Sequence, residues 1–589
     1  LSATLQPVPR RPEARFLALS AAFVLSLGGC ADDPGTPWWR IGFGHAAAAA
    51  AEDGDTGNAA GSYLAGRAAM EAGDLKGAAD DLEQALAAAP DDVDLRRQVF
   101  ELLLASGELD RAVTAARALD ENGAATDMAV LVLALDAVRT DRADTAVALF
   151  ERLGVANIAG PVQPMLLAWA RFAAGGRAAA IAELADADPE TGLERLRAFY
   201  RATMLGLDER PREGLDALAP AFPDLLEAPS RVQRGALALQ LAAGDRAAAD
   251  QLVARLREAA PDDPEIERLA TAVAADAADL AVVRDPATGM GDALISIGEA
   301  FFDQERNVEA LALARAATLV APKDPDTWLL IARVGLAQEN PAEALRALDQ
   351  VPDDGPVGWT VGLMRARALQ DQERLDEAVV LLERMSQEQP SQIDALVAMG
   401  DLLRGEDRFA EAEAAYTRAI ARVPSVDQRH WRLFYARGIA FERTKRWPQA
   451  EADLLEALEL EPEQPFVLNY LGYSWVDQGL NLDRAKGMLN RAVELRPEDG
   501  FIVDSLGWAY FRLGEHDKAV TYLERAVELE PGDPVINDHL GDAYWRVGRQ
   551  REARFQWQRA LTFEPEPDAV TAIQGKLANG LSDAQPAPG

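Results

Sequence analysis

Phe501–Pro531 reads FIVDSLGWAYFRLGEHDKAVTYLERAVELEP. The stretch spells two helices and a turn. The first helix carries Leu506, Gly507 and Tyr510, and Gly514 breaks it. Asp517 lies at the start of the second, where Ala519, Val520, Leu523, Ala526 and Val527 recur at the spacing of one buried face. Pro531 closes that helix, and Asp533-Pro534 then caps and opens the next in the favoured order.

The unit recurs in both directions. Closing prolines fall at Pro390, Pro424, Pro462, Pro497, Pro531 and Pro565, with gaps of 34, 38, 35, 34 and 34. Internal glycines fall at Gly400, Gly438, Gly472, Gly507 and Gly541. The small residues have a packing role. Gly507 and Ala519 let two antiparallel helices approach, and Ala526 makes room for the next repeat, so a bulky side chain there overpacks at about 1–3 kcal/mol. A unit this small cannot bury its apolar face alone, so its neighbours must stack into a solenoid.

The spacing resembles the tetratricopeptide repeat (TPR) family at Leu471-Gly472, Leu506-Gly507-Tyr510, Leu540-Gly541-Tyr544, and Gly400 with Ala412, Tyr416 and Ala419. Gly298, Phe301, Ala310, Ala317 and Pro322 make a further unit, followed by Trp328 with Ala344 and by Ala378 with Leu382 and Pro390. One residue is inserted in 477–485, and four around Val426–His430. Upstream the pattern thins. Gly66, Ala78, Leu82, Ala85 and Pro90 form a good first unit, 93–125 lacks the glycine, 127–185 keeps Ala146, Phe150 and Ala180, and 190–225 is irregular. Asp285–Gly291 (DPATGMG) reads as a loop where the register restarts. The expectation is an all-α TPR superhelical solenoid of about fourteen helix pairs. Divergent repeats occupy 60–284 and well-formed ones 285–566. In 567–589, Val570, Ile573 and Leu577 share one face of a capping helix, and a tail follows.

Composition narrows the function. The chain has 589 residues, 49% of them apolar, and 96 Asp+Glu against 59 Lys+Arg give a net charge of −37. Such a surface repels phosphate backbones, so nucleic acid is excluded as a main ligand. One cysteine permits no internal disulfide or cysteine-built metal cluster, and four histidines make a histidine metal centre improbable. There is no phosphate-binding G-x-x-x-x-G-K-[ST], and Gly472-Tyr473-Ser474-Trp475-Val476 lacks the second glycine of a nucleophile elbow. His430, His516 and His539 fall in different repeats and read as exposed or turn residues. The expectation is no enzyme, no cofactor and no metal.

The first 29 residues read as an address. Arg10, Arg11 and Arg15 precede the apolar run Phe16–Leu27, too short for a bilayer span and followed by small residues. Leu27-Gly28-Gly29-Cys30 resembles the lipobox of bacterial lipoproteins, which implies cleavage before Cys30, diacylglycerol on its sulfur and palmitate on the mature chain. Ala31 after the cysteine resembles an outer-membrane sorting signal. Residues 30–59 read as a lipidated flexible tether, in which Trp38 and Trp39 dock on the body, rest at the membrane interface or form a local hydrophobic staple.

In TPR proteins, non-signature residues of each first helix line a concave groove. Carried over, the resemblance places Tyr435, Arg443, Asn469, Tyr473, Asp504, Trp508, Arg512, Asp538, Asp542, Trp545 and Arg546 in a partner-binding stripe. Tyr, Trp and Arg are the types enriched at binding hot spots, and the acidic bulk favours a partner with a basic patch. Lipobox and repeats together resemble bacterial outer-membrane TPR lipoproteins that face the periplasm. The phrase DSLGWAYFRLGEHDKA favours the adaptors that bring a carboxyl-terminal processing protease and its cell-wall hydrolase substrate together. The alternative is a structural subunit of an envelope machine for exopolysaccharide export or outer-membrane assembly.

Overall fold

The structure, a computed structural model, describes residues 56–154, 160–185, 193–260, 264–275, 280–353 and 357–581. Among these residues the secondary structure is helical, with no strand. The signal, Cys30, almost all of the tether and the tail from 582 lie outside the described residues. The helical body begins at Thr56, slightly before the expected 60. No described helix is long and apolar enough to cross a membrane.

The chain divides into two compact units between Ala378 and Val379. The first opens with α1 (Thr56–Glu71), α2 (Leu75–Ala88), α3 (Val93–Ala105), α4 (Leu109–Glu121), α5 (Asp127–Arg139) and α6 (Ala143–Phe150). It continues with α7 (Gln163–Ala173), α8 (Arg177–Glu183), α9 (Glu194–Leu207), α10 (Pro211–Leu218), α11 (Ser230–Ala242), α12 (Arg246–Ala259) and α13 (Pro264–Ala274). Then come α14 (Pro286–Asp303), α15 (Asn307–Ala317), α16 (Pro325–Ala337), α17 (Pro341–Leu348) and α18 (Gly358–Asp371). Helix α19 (Leu375–Glu388) runs across the division. The second unit holds α20 (Asp394–Gly405), α21 (Phe409–Arg422), α22 (Trp431–Arg443), α23 (Trp447–Leu460), α24 (Pro465–Gln478) and α25 (Leu482–Leu495). It ends with α26 (Gly500–Arg512), α27 (His516–Leu529), α28 (Pro534–Arg546), α29 (Gln550–Leu561) and α30 (Pro567–Asn579). Six pairs precede the lone α13 and eight follow it, so the expected fourteen pairs are present.

Each pair turns through a left-handed residue. In the first five these are Gly73, Gly107, Asp141, Gly175 and Glu209, each 34 residues after the last. The stretch 190–225 is irregular in sequence, yet its described part, from 193, holds the α9–α10 pair in strict register. The single-residue insertion sits at the α24–α25 turn, where Gly479 and Asn481 both take positive φ. The four-residue insertion forms a 3-10 turn, Gln428–His430, whose start is capped by the Asp427 carboxylate accepting from the Arg429 N–H.

Packing follows the small residues. A Cβ on Gly507 would lie 2.7 Å from Leu523 Cγ, and Ala519, Leu523 and Ala526 are fully buried beside it. Helix α30 caps the second unit as expected, with Ile573 buried and Leu577 packed against its core.

Two findings in the first unit depart from the sequence reading. Asp285–Gly291 is not a loop, because α14 starts at Pro286. Asp285 accepts from the Thr288 N–H at 2.8 Å, and Thr288 Oγ1 accepts in return from the Asp285 N–H at 3.0 Å. This capping box, with proline in the first turn, starts a helix that two glycines would otherwise disfavour. In a simple solenoid, moreover, each repeat touches only its neighbours. Here α14 packs on α7, and α15 packs on α3 and α5. The Arg315 Nε–H donates to the Ala105 carbonyl at 3.1 Å, across 210 residues of sequence. The expected boundary near 285 thus falls inside one compact unit.

Candidate functional site

The first helices of successive pairs in the second unit are α20, α22, α24, α26 and α28. The stripe residues sit on the last four of them, and the structure brings them together as rungs spaced by one repeat. Tyr435 on α22 meets Tyr470 on α24 edge-on, with ring centroids 5.9 Å apart. Tyr470 donates its hydroxyl to Glu442 at 3.0 Å. One repeat further, Arg512 Nη1 binds Asp477 Oδ1 at 2.7 Å, and its Nη2 reaches the Asp477 carbonyl at 3.1 Å. Asp504 faces His539 Nδ1 at 3.0 Å, again across 35 residues. The His539 ring lies 4.0 Å from that of Trp508 and nearly parallel to it, and Phe511 stacks on the Trp508 ring at 4.7 Å.

The C-terminal end of the stripe is covered by the chain itself. Lys576 on α30 places Nζ 2.8 Å from both Asp538 and Asp542. Trp557 Nε1–H donates to Asp542 Oδ1 at 2.9 Å, and Trp545 packs against Trp557 at 5.4 Å. At the other end Arg443 lies over the Phe409 ring at 4.5 Å and 3.6 Å from Asp407. Arg546 closes the last turn of α28. Burial, then the Arg546 charge, hold the His516 imidazole below its ordinary value.

Most charges in the stripe are therefore matched within the chain, and what stays partly open is mainly aromatic surface. Tyr435, Asn469, Tyr473 and Trp508 are each half-buried. The Asn469 Oδ1 is shielded from solvent and has no hydrogen-bond partner. Burial, with Asp477 and Asp504 nearby, pushes the Tyr473 phenol well up, so it stays a neutral donor.

His539, read from sequence as an exposed or turn residue, lies on a helix as the ion-pair partner of Asp504 with its side chain 12% exposed. Tyr470, Glu442, Asp477 and Lys576 also belong to the site and were missed. The signal that finds the first three, and His539 with them, is the repeat period: 435 with 470, 442 with 477, 477 with 512, and 504 with 539 all differ by 35. Among the described residues no group of three His, Cys, Asp or Glu is placed to hold a metal.

His539 and Asp542 give the site a pH dependence of the same sign, opposed by the lowered His516, whose contribution rises with pH. Burial alone lowers the His539 pKa, but Asp504, Asp538 and Asp542 outweigh it and leave the value raised. Burial pushes the Asp542 carboxyl up to about 6 against the pull of Lys576. The histidine contributes stability below its unfolded value that is lost as pH rises through its folded one. The acid adds a penalty that grows as pH rises from its ordinary range to about 6. Chemical denaturation of the intact chain, read by hydrogen exchange in 379–581, should show lower stability at about pH 8 than at about pH 5. His539→Gln should flatten the upper part of that slope. A stability that rises with pH over this range overturns the assignment.

Comparison with known proteins locates the repeats independently. Models described as tetratricopeptide repeat match residues 69–132, 301–357, 397–465 and 504–533. The TPR repeat-containing protein PA4667 of Pseudomonas aeruginosa is 26% identical over 159 residues, a match spanning 26% of this chain and 26% of that relative. Among solved structures, Cut9 with Hcn1 from the APC/C hetero-tetramer aligns over 89% of this chain and 96% of that one, at 16% identity and a TM-score of 0.36. YrrB, described as a TPR protein with an unusual peptide-binding site, aligns over 33% of this chain and 97% of its own, at 19% identity and a TM-score of 0.27. With helix pairs throughout the described residues of each unit and repeat matches in each, the chain has an all-α tetratricopeptide-repeat fold.

Proposed function

We propose that this chain is a non-catalytic scaffold that binds protein partners along the α22–α28 stripe of its second unit. The observation that carries the reading is the run of half-buried Tyr435, Tyr473 and Trp508, aromatic groups left partly open between charges already paired. Rigid aromatic surface between paired charges suits a peptide or helix that supplies apolar side chains. The surplus acid on the chain steers basic partners toward it.

The finer reading joins this stripe to the leader. Cys30 carries the lipid, the protein hangs from the outer membrane into the periplasm, and its partners are a carboxyl-terminal processing protease with its cell-wall hydrolase substrate. Support comes from the lipobox-like Leu27–Cys30, from the adaptor-like phrase at 504–519, and from the likeness to a Pseudomonas TPR protein.

A crosslinked pull-down from the bacterial envelope with the full chain tests this. Recovery of a PDZ-containing serine protease is expected, and recovery of secretion or insertion machinery instead makes the chain a structural brace. Trp508→Ala should weaken capture by about thirtyfold, as for a hot spot of about 2 kcal/mol. Helicity should stay unchanged by circular dichroism. Undiminished capture removes the stripe from the binding surface. Arg512 is a poorer probe, because reversing its charge sets two carboxylates against each other at Asp477.

A further inference from the structure

The inner wall of the first unit differs from that of the second. Its rungs are not outward-facing, because α14 lies against α7, and α15 against α3 and α5. Helix α14 has 18 residues where most first helices have 13 or 14, and the excess is at its N-terminal end. That end is slim. A Cβ on Gly289 would run into the Trp169 indole on α7, and one on Gly291 would come 2.5 Å from Ala321 Cβ. Gly289, Met290, Gly291, Asp292, Ala293, Leu294 and Ile295 are buried one after another, so the helix is enclosed on all sides at this level.

Polar groups fix its register. The Tyr200 hydroxyl on α9 donates to Asp292 Oδ2 at 2.7 Å and lies 3.1 Å from Ser296 Oγ. Arg231 on α11 reaches Ser296, comes within 3.8 Å of Asp292 and pairs with Glu299 at 3.1 Å. Asp292 is 3% exposed and its partners come from helices about 60–90 residues away, a separation that no neighbour-to-neighbour stacking produces.

We propose that α14 is an intramolecular ligand of the first unit: it occupies the wall formed by α7, α9 and α11, with Gly289 in a slot under Trp169 and Asp292 latched to Tyr200 and Arg231. The wall is closed while α14 sits there. The segment able to compete with it is a helix of the same chemistry, small residues at two positions separated by one, then a carboxylate, then an apolar face. The first unit thus takes a partner helix only by exchange, independently of the stripe on the second.

The test uses the full chain and a labelled synthetic peptide of residues 285–303. In the wild type, amides of 289–297 should exchange as slowly as those of α5 and α7, and peptide at about 10 μM should not bind. Asp292→Asn should speed exchange in 289–297 by at least about tenfold and let the peptide bind, while a peptide carrying the same change binds at least about tenfold more weakly. If that variant loses helicity, Ser296→Ala, which removes the hydroxyl shared by Tyr200 and Arg231, is read in the same way. Peptide uptake by the wild type equal to that of the variant shows an open wall and overturns the proposal. So does fast wild-type exchange in α14, or a folded variant that loosens α14 without taking up peptide.

Discussion

Trp169→Ala is expected to lower the stability of the first unit by about 3–5 kcal/mol, the range for a large aromatic removed from a closed core. Trp169 is fully buried, edge-on to Phe172 at 5.9 Å and to Tyr200 at 6.2 Å, and it roofs the slot that takes Gly289. The loss should be largest where α14 rests, so hydrogen exchange should accelerate in 286–303 before it does in α1 or α2. Adding Gly289→Leu to Trp169→Ala should restore part of the stability, since the leucine grows into the vacated volume. In the wild-type background Gly289→Leu overpacks and destabilises by about 1–3 kcal/mol or more. A denaturation midpoint unmoved by Trp169→Ala, or no rescue by the second change, places the contact elsewhere.

Trp557→Ala has an effect of similar size in the second unit, about 3–5 kcal/mol from the cavity alone. Its ring is fully buried and fills the space above Gly541, and its N–H donates to Asp542. Removing that donor leaves a buried carboxylate with Lys576 as its remaining tie, so α30 should fray along with α29. Trp557→Leu should cost less than the alanine, because Leu523 occupies the same position one repeat earlier against Gly507. The readout is urea unfolding with exchange followed in 567–579. Protection of α30 that survives the alanine variant unchanged separates the cap from this tryptophan.

How much of this was legible in sequence depended on which residues do the packing. From residue 290 onward, glycine and alanine mark the close approaches, and Leu506-Gly507 or Leu540-Gly541 fix the register on sight. Upstream the marker changes place. The stretch 93–125 has no glycine in mid-helix, and its repeat is held by the turn at Gly107 and by the fully buried Ala112, Ala116 and Leu119. Glu209 serves the α9–α10 pair with a left-handed turn that usually calls for glycine, so composition gave no sign of it. Asp285–Gly291 misled for the opposite reason. Proline and two glycines are turn residues by propensity, but a capping box and the walls of Trp169 and Ala321 outweigh propensity. In the stripe, the family offsets placed each predicted residue on a first helix. They did not show that Lys576 covers Asp538 and Asp542, because that contact comes from a helix outside the repeat pattern.

The tie between Arg315 and Ala105 sets an order of events during synthesis. Repeats of the second unit close against their predecessors as they leave the ribosome, each burying its face on a hairpin already made. The first unit takes such steps too, α2 on α3 and α4 on α5, but cannot finish with them. Its early hairpins emerge with the seat for α14 empty, and Trp169 and Tyr200 wait until about 120 and about 90 further residues have been translated. Long loops must then close at once, a slow step with apolar surface showing in the interval. Nascent chains halted before residue 286 should therefore recruit holding chaperones that those halted beyond 353 do not.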